Sequence, residues 1–324
     1  MGLIRKSIHR VLWILLAVPL LLLPMLTRMA RAAGGETPEF RRAGADGAVT
    51  VRILGAEGDM EEQNLEDYLV GVVLGEIPAD FEEEALKAQA VAARTYTRKA
   101  MVTGGKHGAG LLCREASCCQ AYWDPEDFLD RGGSRQELEN VQSAVRETDD
   151  QVLIYDGELI EATFFACSGG RTEDAVAVWG REYPYLRATD SPGEEEARYF
   201  RDSRSFSRQE LEAALGITLP RDPDDWLGET AYTSGGGVET WTIAGKAFTG
   251  VEVRKLLGLR SAAFRAKVEG DGLTFETRGY GHRVGLSQYG AQAMAQAGKS
   301  YGEILLHYYP GTEMVKYVEK FTNE

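Results

Sequence analysis

The chain has 324 residues, of which 44% are hydrophobic, and a formal net charge of −14 at pH 7. This composition is typical of a folded protein with enough apolar residues for one large core or two moderate ones. Nucleic-acid affinity depends mainly on lysine and arginine side chains that neutralise phosphates, so the acidic balance argues against a general polyanion binder. We therefore expect no DNA or RNA partner.

The N-terminus carries a membrane-targeting pattern. An unbroken apolar stretch runs from Val11 to Leu26. The residues just before it are basic: Arg5, Lys6, His9 and Arg10. Because the stretch is shorter than the roughly 20 residues of a comfortable span, and because Ala30-Arg31-Ala32 could be a cleavage site, a cleaved signal peptide remains an alternative. We favour an uncleaved anchor within residues 1–32, with the rest of the chain outside the cytoplasm.

The next segments predict a linker and the start of a folded body. Residues 33–48 are rich in glycine, alanine and charge, which is typical of a linker. Residues 49–54 alternate as a strand, and residues 64–76 predict a helix that ends before Pro78. Asp80, with Glu83 three residues later, predicts the N-cap of a long helix over residues 81–101.

The later elements are shorter and mixed in type. Asp156-Gly157 is a strong hairpin signal between strands predicted at residues 151–154 and 158–165. Further helices are predicted at residues 136–148, 207–215, 251–257, 292–296 and 301–309. Helices and strands do not alternate regularly, so the predicted class is α+β, with mixed helices and antiparallel strands. We expect the folded body to cover residues 49–311 and residues 312–324 to form a C-terminal tail.

Glu76 is the best catalytic candidate. It falls on the same helical stripe as Leu65, Leu69 and Val73, so its carboxyl group should face protein rather than bulk water. Desolvation favours the neutral acid, and a carboxylic acid that is still protonated near neutral pH can donate a proton to a leaving group. Breaking a glycosidic bond requires that step. The alternative is that Glu76 simply ends the helix and faces solvent.

One short loop collects an imidazole and three thiols. His107, Cys113 and Cys119 are evenly spaced, with Cys118 as a possible substitute for Cys119. Thiolate and imidazole groups are typical zinc ligands, so the loop predicts a zinc site whose fourth position is left to water or a distant side chain. A disulfide is the alternative, since the compartment is oxidising and the count of four cysteines, including Cys167, is even.

Glycines near the C-terminus do not form a nucleotide site. Gly279, Gly281 and Gly285 miss the G-x-G-x-x-G spacing, and no G-x-x-x-x-G-K-[ST] motif occurs, so we expect no nucleotide cofactor. Such a loop could instead bind sugar hydroxyls, although a plain turn that caps a helix fits equally well. The candidate sugar-binding residues beside these glycines are His282, Ser287, Gln288 and Tyr289.

Several motifs together resemble one known family. The run from Tyr68 to Tyr96, YLVGVVLGEIPADFEEEALKAQAVAARTY, resembles the signature of the stage II sporulation protein D family of lytic transglycosylases. Further family-like motifs follow in the family's order: Ser168–Glu173, Val178–Gly180, Pro184–Leu186, Gly281–Ala291 and His307–Gly311. The resemblance extends over nearly the whole predicted body.

The resemblance implies an enzyme of cell-wall remodelling during sporulation. Members of the family cleave peptidoglycan glycan strands between N-acetylmuramic acid and N-acetylglucosamine, leave 1,6-anhydromuramic ends, and act in engulfment. The implied preference is for strands without stem peptides. The implied partners are a peptidoglycan amidase and a multispanning membrane protein in one membrane complex. The implied fold has two lobes that flank a glycan-binding groove, preceded by an N-terminal membrane helix.

The resemblance also implies roles for individual residues. Glu76 matches the catalytic acid, Lys87 and Arg94 match basic positions that could bind the glycan, and Ser168 lies in a matching motif. His107, Cys113 and Cys119 match the zinc ligands of some members. The chain departs from the pattern at Phe164–Cys167 and at Arg283, where a glycine is usual, and both changes touch the expected groove.

Two rival functions are compatible with the same residues. One is a non-catalytic glycan-binding scaffold of the same membrane complex. The other is a zinc-dependent amidase or peptidase whose catalytic ion is bound by the cysteine loop.

Overall fold

The structure of the protein is a computed structural model that describes residues 49–55 and 57–317. The expected membrane segment and the linker at residues 33–48 lie outside the described residues. No helix within the described ranges is long and apolar enough to cross a membrane.

The described part of the chain mixes helices and short strands. The helices are α1 (Leu65–Glu76), α2 (Glu83–Thr103), α3 (Pro125–Asp130), α4 (Arg135–Glu147), α5 (Ala175–Trp179), α6 (Arg208–Leu215), α7 (Gly250–Leu257), α8 (Gln288–Gln296) and α9 (Tyr301–Tyr308). The first seven strands are β1 (Thr50–Leu54), β2 (Met60–Asn64), β3 (Leu111–Leu112), β4 (Gln151–Tyr155), β5 (Glu158–Leu159), β6 (Phe164–Phe165) and β7 (Arg201–Ser207). The later strands are β8 (Leu227–Tyr232), β9 (Val238–Ile243), β10 (Lys246–Phe248), β11 (Phe264–Glu269), β12 (Gly272–Arg278), β13 (Leu286–Ser287) and β14 (Glu313–Lys316).

Helix α1 begins where the sequence predicts. The Asn64 side chain accepts hydrogen bonds from the backbone N–H groups of Glu66 and Asp67, which satisfies two donors of the first turn. Almost every later residue of α1 is buried, not only the predicted stripe, because α2 and α4 pack against it. Glu76, the last residue of the helix, therefore lies next to the protein interior.

Helix α2 is the centre of the fold. Its alanines contribute to two separate hydrophobic cores, Ala90 and Ala93 to one and Ala88 and Ala92 to the other, because small side chains let elements pack closely on both sides. The predicted N-cap at Asp80 is wrong. The helix begins at Glu83 after Glu82, whose side chain makes no capping hydrogen bond.

Within residues 49–317 the strands form five small sheets, whose pairs are antiparallel except β1 with β3 and β6 with β13. The predicted hairpin is confirmed: β4 pairs with β5, and Asp156 and Gly157 have φ angles of 51° and 77°. The predicted strand over residues 158–165 is broken, since β6 leaves the hairpin and pairs with β13. Strand β14 pairs with β4, so the folded body continues past the boundary expected at residue 311.

The third hydrophobic core lies in residues 206–275, among β7 to β12, α6 and α7. Both predicted helices of this region are present. Helix α8 is longer than predicted, because it begins at Gln288 rather than at residue 292. The α+β class is confirmed, whereas the two lobes, the groove and the membrane helix stay predictions.

Arg94 joins three helices at the centre of the fold. Its fully buried guanidinium forms a two-pronged ion pair with Glu66 at 3.1 and 2.6 Å and donates a hydrogen bond to the Val145 carbonyl at 2.9 Å. A buried cation is tolerated only when it is paired and hydrogen-bonded in this way. Arg94 thus holds α1, α2 and α4 together.

We expect Arg94→Ala to lower the free energy of unfolding by roughly 3–5 kcal/mol, because it removes one partner of a buried charge pair. Urea denaturation measures the loss. Lys87→Ala is the matched control, since Lys87 lies on the same helix but pairs with Glu83 and Glu147, whose carboxylates are exposed, and ion pairs with exposed partners contribute little. Equal losses in the two variants would contradict a special role for Arg94.

Candidate active site

Glu76 faces a cavity of about 710 Å³. Its walls come from the end of α1, the loop at residues 116–121, the segment around β6, α5, α7 and the segment at residues 280–288. Aromatic rings line part of it, including those of Tyr96, Trp179, Tyr183 and Tyr280. A mostly apolar cavity with a few polar groups is the usual form of a ligand site.

Two hydrogen bonds orient the Glu76 carboxyl group. The backbone N–H of Ala121 donates to Oε1 at 2.6 Å, and Nε2 of Gln288 donates to Oε2 at 3.4 Å. Oε1 therefore accepts the shorter of the two hydrogen bonds. Oε2 is held more loosely, by the longer bond.

The loop reaches Glu76 because α1 presents two glycines to it. A Cβ on Gly75 would lie 2.6 Å from the backbone nitrogen of Tyr122, and a Cβ on Gly71 would lie 2.2 Å from the Tyr122 ring. Trp123 N–H also donates to the Gly71 carbonyl at 3.0 Å. The spacing of four residues puts both glycines on one helix face, so the backbone of the loop lies directly against α1.

Burial raises the pKa of Glu76 above its ordinary value of 4.5, although the hydrogen bonds from Ala121 and Gln288 act in the opposite direction. Desolvation therefore outweighs hydrogen bonding, as expected for a general acid in a sheltered site. The desolvated carboxyl predicted from the helical stripe is present in the structure.

Four potential metal ligands meet in the loop before Ala121. The ligand atoms of His107, Cys113, Cys118 and Cys119 all lie within 4.8 Å of one another, and Cys118 Sγ is 3.4 Å from His107 Nε2. Tetrahedral zinc with Zn–S near 2.3 Å and Zn–N near 2.0 Å needs ligand atoms roughly 3.5–4 Å apart. The set fits zinc. Cys118 lies in the cluster together with Cys119, so four protein side chains are available to one ion.

The cysteine cluster is linked to the catalytic candidate along the chain. Gln120, which directly follows Cys119, is buried and donates hydrogen bonds to Tyr68 at 3.4 Å and to Thr97 at 3.0 Å. The next residue, Ala121, donates to Glu76. All four cysteines are free thiols in the structure, and Cys167 does not belong to the cluster.

The thiols of the cluster are electrostatically unequal. Burial opposes ionisation of Cys113, but hydrogen bonds from the Glu115 backbone and from His107, Cys118 and Cys119 lower its pKa to about 7. Burial raises the pKa of Cys119 to about 12. A cation would favour the thiolate form of all three.

The glycine-rich segment at residues 281–288 packs against β6 rather than against open space. A Cβ on Gly281 would lie 2.7 Å from Phe165 Cβ, and one on Gly285 would lie 2.1 Å from the Thr163 carbonyl oxygen. Ser287 then caps α8 by accepting a hydrogen bond from Gly290 N–H. Gln288, the first residue of the helix, is thereby aimed at Glu76.

His282 is a neutral wall of the cavity. Its ring lies between Phe165 and Trp179, with centroids 5.5 and 5.2 Å away. Burial lowers its pKa to about 4, and the positive charge of Arg254 acts in the same direction. Its Nδ1 accepts a hydrogen bond from Val284 N–H, and the ring also makes a hydrogen bond with the Phe164 backbone.

Several predicted substrate-binding residues lie away from the cavity. Arg94 is fully buried in its ion pair, and Lys87 contacts Glu83, Glu84 and Glu147. Neither residue lines the Glu76 cavity, and their contact with glycan stays a prediction. The other residues outside the cavity lining are Ser168, Ser287 and Tyr289.

Ser168 and Ser287 belong to a buried network around Glu194. The Glu194 carboxylate accepts hydrogen bonds from both hydroxyls, from Gly170 N–H and from the Cys167 thiol. Burial raises the pKa of Cys167 to about 12, which suits a structural thiol rather than a nucleophile. The network fixes the start of α8.

Tyr289 and Arg283 also have structural surroundings. The Tyr289 ring packs edge-on against Phe81 and Tyr199. Arg283 adopts a left-handed φ of 66°, where a glycine would be relaxed, and its buried guanidinium donates to the Ser168 carbonyl at 2.7 Å and pairs with Glu173 at 3.2 Å. At this departure from the family pattern, Arg283 thus forms a buried ion pair.

Three important groups were not selected from the sequence. Glu161 and Arg254 line the cavity with Glu76, and the N–H group of Ala121 binds the acid. Glu161 and Arg254 looked like ordinary charged residues of a strand and a helix. The pair Gly71 and Gly75 could have predicted in the sequence that a loop packs against α1, since two glycines four residues apart leave one face of the helix without side chains.

Comparison with known proteins shows the family of the chain. Residues 55–155 match the family model described as SpoIID, stage II sporulation protein. The chain is 40% identical over 260 residues to stage II sporulation protein D of Bacillus amyloliquefaciens, which covers 79% of this chain and 75% of that protein. It is 39% identical over 264 residues to the Bacillus subtilis protein of the same name, with 80% and 76% covered.

The chain belongs to the stage II sporulation protein D family. The resemblance found in its motifs is thereby confirmed. A further relative is the amidase enhancer of Bacillus subtilis, 30% identical over 305 residues, which cover 77% of this chain but 40% of that protein. The family-model match contains both Glu76 and the four-residue cluster of His107 and the three cysteines.

The raised pKa of Glu76 predicts a pH-dependent cost to stability. Below about pH 4.5 the carboxyl is protonated in both the folded and the unfolded chain, and no cost arises. As the pH rises, the unfolded chain ionises first, so wild type loses stability until the folded-state pKa is passed. Glu76→Gln has no such loss. We expect its melting temperature to exceed that of wild type at pH 7 and to match it near pH 4.

Thermal unfolding across this pH range measures the difference. Glu161→Gln is the control, because the pair of Glu161 with Lys99 at 3.4 Å is partly exposed. A difference between Glu76→Gln and wild type that is constant with pH would contradict the desolvated state of the Glu76 carboxyl.

Proposed function

We propose that this member of the family is a lytic transglycosylase that cleaves the bond between N-acetylmuramic acid and N-acetylglucosamine in peptidoglycan strands. The observation that carries the proposal is the Glu76 carboxyl, desolvated and hydrogen-bonded at the edge of a cavity large enough for sugar rings. The name of the Bacillus subtilis amidase enhancer supports a role in the cell wall. The products would be 1,6-anhydromuramic ends.

Glu76 would act first as an acid and then as a base. Oε2 transfers its proton to the bridging oxygen while the glycosidic bond breaks, and the carboxylate that remains then takes the proton of the muramic 6-hydroxyl as that oxygen attacks the anomeric carbon. The bonds from Ala121 and Gln288 would stabilise the transient carboxylate. One residue thus returns to its starting protonation state without consuming water.

We also propose that His107, Cys113, Cys118 and Cys119 bind zinc. Four protein ligands complete a tetrahedral shell, so the ion would be structural and would hold the loop that carries Ala121. A closed shell leaves no position for a substrate, which disfavours the zinc-dependent amidase or peptidase. A disulfide between two of the cysteines is the alternative, and it would leave the imidazole of His107 without a role.

The remaining expectations belong to the same proposal. The apolar N-terminal stretch would anchor the chain in a membrane, with the described body outside the cytoplasm during engulfment. There it would act on stem-peptide-free strands beside an amidase and a multispanning protein. The non-catalytic scaffold is the rival, which predicts binding to peptidoglycan without new anhydro ends.

A hydrolase is the second candidate, and Glu161 is the observation that favours it. Its carboxylate lines the same cavity as Glu76 and is held by Lys99. Glycoside hydrolases use two carboxylates, of which the second activates water or forms a covalent intermediate. A transglycosylase needs one.

Product analysis separates these functions. We expect Glu76→Gln to lower the rate of cleavage of stripped glycan strands by about 100-fold to 10,000-fold, the contribution of a general acid. Glu161→Gln should retain cleavage and anhydro products. Mass spectrometry of the products decides. Reducing ends in the wild-type products, together with an inactive Glu161→Gln variant, would support the hydrolase. An unchanged yield of anhydro ends in the Glu76→Gln variant would exclude Glu76 from the mechanism.

The zinc proposal predicts one ion per chain in protein purified without added metal, as measured by elemental analysis. Cys118→Ser should reduce the bound zinc and destabilise the loop, because it removes one of the four ligands. Cys167→Ser is the matched control, since that thiol lies outside the cluster. Metal-free protein with oxidised thiols would contradict the zinc site and support a disulfide.

A further inference from the structure

Arg254 is an unpaired cation in the wall of the Glu76 cavity. It lies on α7, is partly buried, and lines the cavity together with Tyr280 and His282. Among the residues that the structure describes, its guanidinium makes no hydrogen bond or ion pair. Burying a charge without a partner costs free energy, so such a group calls for an explanation.

The charged groups nearby do not supply that partner. Glu161, a second carboxylate of the cavity, is bound by Lys99 at 3.4 Å. The pKa of Glu76 is shifted by burial and by the hydrogen bonds from Ala121 and Gln288, and Arg254 does not contribute to this shift. The carboxylate of Asp202 is paired at 3.2 Å with Arg260, which lies six residues after Arg254 in the chain. Within residues 49–55 and 57–317, no protein acceptor is hydrogen-bonded to the five N–H donors of Arg254.

The surroundings of Arg254 fit a sugar chain that carries an acid. Trp179 and Tyr280 are large aromatic residues with 43% and 41% of their surface exposed, and both line the cavity. Flat rings of this kind can cover the apolar faces of sugar rings. A guanidinium beside them matches the two oxygens of a carboxylate in a bidentate pair.

We propose that Arg254 binds a carboxylate of the glycan strand that occupies the Glu76 cavity. The inference rests on the proposed function, because it takes peptidoglycan as the ligand. Two carboxylates are available on such strands. One is the lactyl carboxylate of muramic acid, which is free only when the stem peptide has been removed, and the other belongs to the stem peptide itself.

The test is a binding measurement with the full-length chain in detergent. Glu76→Gln is the background, so that strands are bound without being cleaved. Fluorescently labelled strands are offered in three forms: stripped of stem peptides, stripped with every carboxylate converted to a primary amide, and bearing stem peptides. Arg254→Gln is compared with Lys255→Ala, which removes one positive charge from the exposed side of the same helix.

We expect Arg254→Gln to weaken binding of stripped strands about tenfold to a hundredfold, as for the loss of a charged hydrogen-bond pair, and to leave binding of the amidated strands unchanged. Lys255→Ala should bind all three like the background protein. A loss confined to stem-bearing strands would still support a carboxylate site and would assign it to the peptide. An equal loss on amidated strands, or no loss on either acidic form, would overturn the proposal.

Two further measurements, the melting temperature and the cleavage activity, complete the test. The melting temperature of Arg254→Gln should equal or exceed that of wild type, because the substitution breaks no hydrogen bond or ion pair of the described residues. A clear decrease would indicate a structural role and would contradict the proposal. Cleavage by the chain with Glu76 intact reports separately on the proposed function. Carboxylate-dependent binding without anhydro products would support the Arg254 site and reject the transglycosylase.

Discussion

The hydrogen bond from Ala121 N–H to Glu76 depends on how closely a loop can approach a helix. Gly71 and Gly75 remove the side chains that would keep the loop at residues 120–123 away from α1. The backbone donor therefore reaches the carboxyl at 2.6 Å. Any side chain at Gly75 would displace the loop and with it one wall of the cavity. The catalytic candidate is thus set by a packing constraint as well as by its own chemistry.

The same loop connects the acid to the cysteine cluster. Cys119 is two residues before Ala121, and Gln120 between them is fixed by Tyr68 and Thr97 in the core. A zinc ion bound by the four ligands would restrict the loop from one side, while Gln120 restricts it from the other. Such support from outside the first contacts is what keeps a catalytic group in its productive geometry. On this view zinc acts on the chemistry only through position.

Local patterns in the sequence were sufficient for most elements and for the acid. The helix at residues 64–76 and the Asp156-Gly157 hairpin are encoded within a few residues, and the structure confirms both. The N-cap at Asp80 failed because Glu82 begins the helix without a side-chain cap. The end of β5 before β6 and the strand β14 were not predicted for another reason. The pairing partners of β6 and β14, which are β13 and β4, are distant in the chain. Pairing of that kind leaves no local signal.

Charge alone could not distinguish the basic residues that stabilise the fold from those that face the cavity. Lys87 and Arg94 occur in the most family-like segment, yet acidic residues of α1, α2 and α4 neutralise them. Arg254 occurs in a short helix without any motif, yet it is the cation that lines the cavity without a partner among the described residues. What separates them is the presence of a nearby carboxylate, which only the tertiary structure determines. An arginine without its own counterion in a sheltered cavity selects for a ligand that brings one.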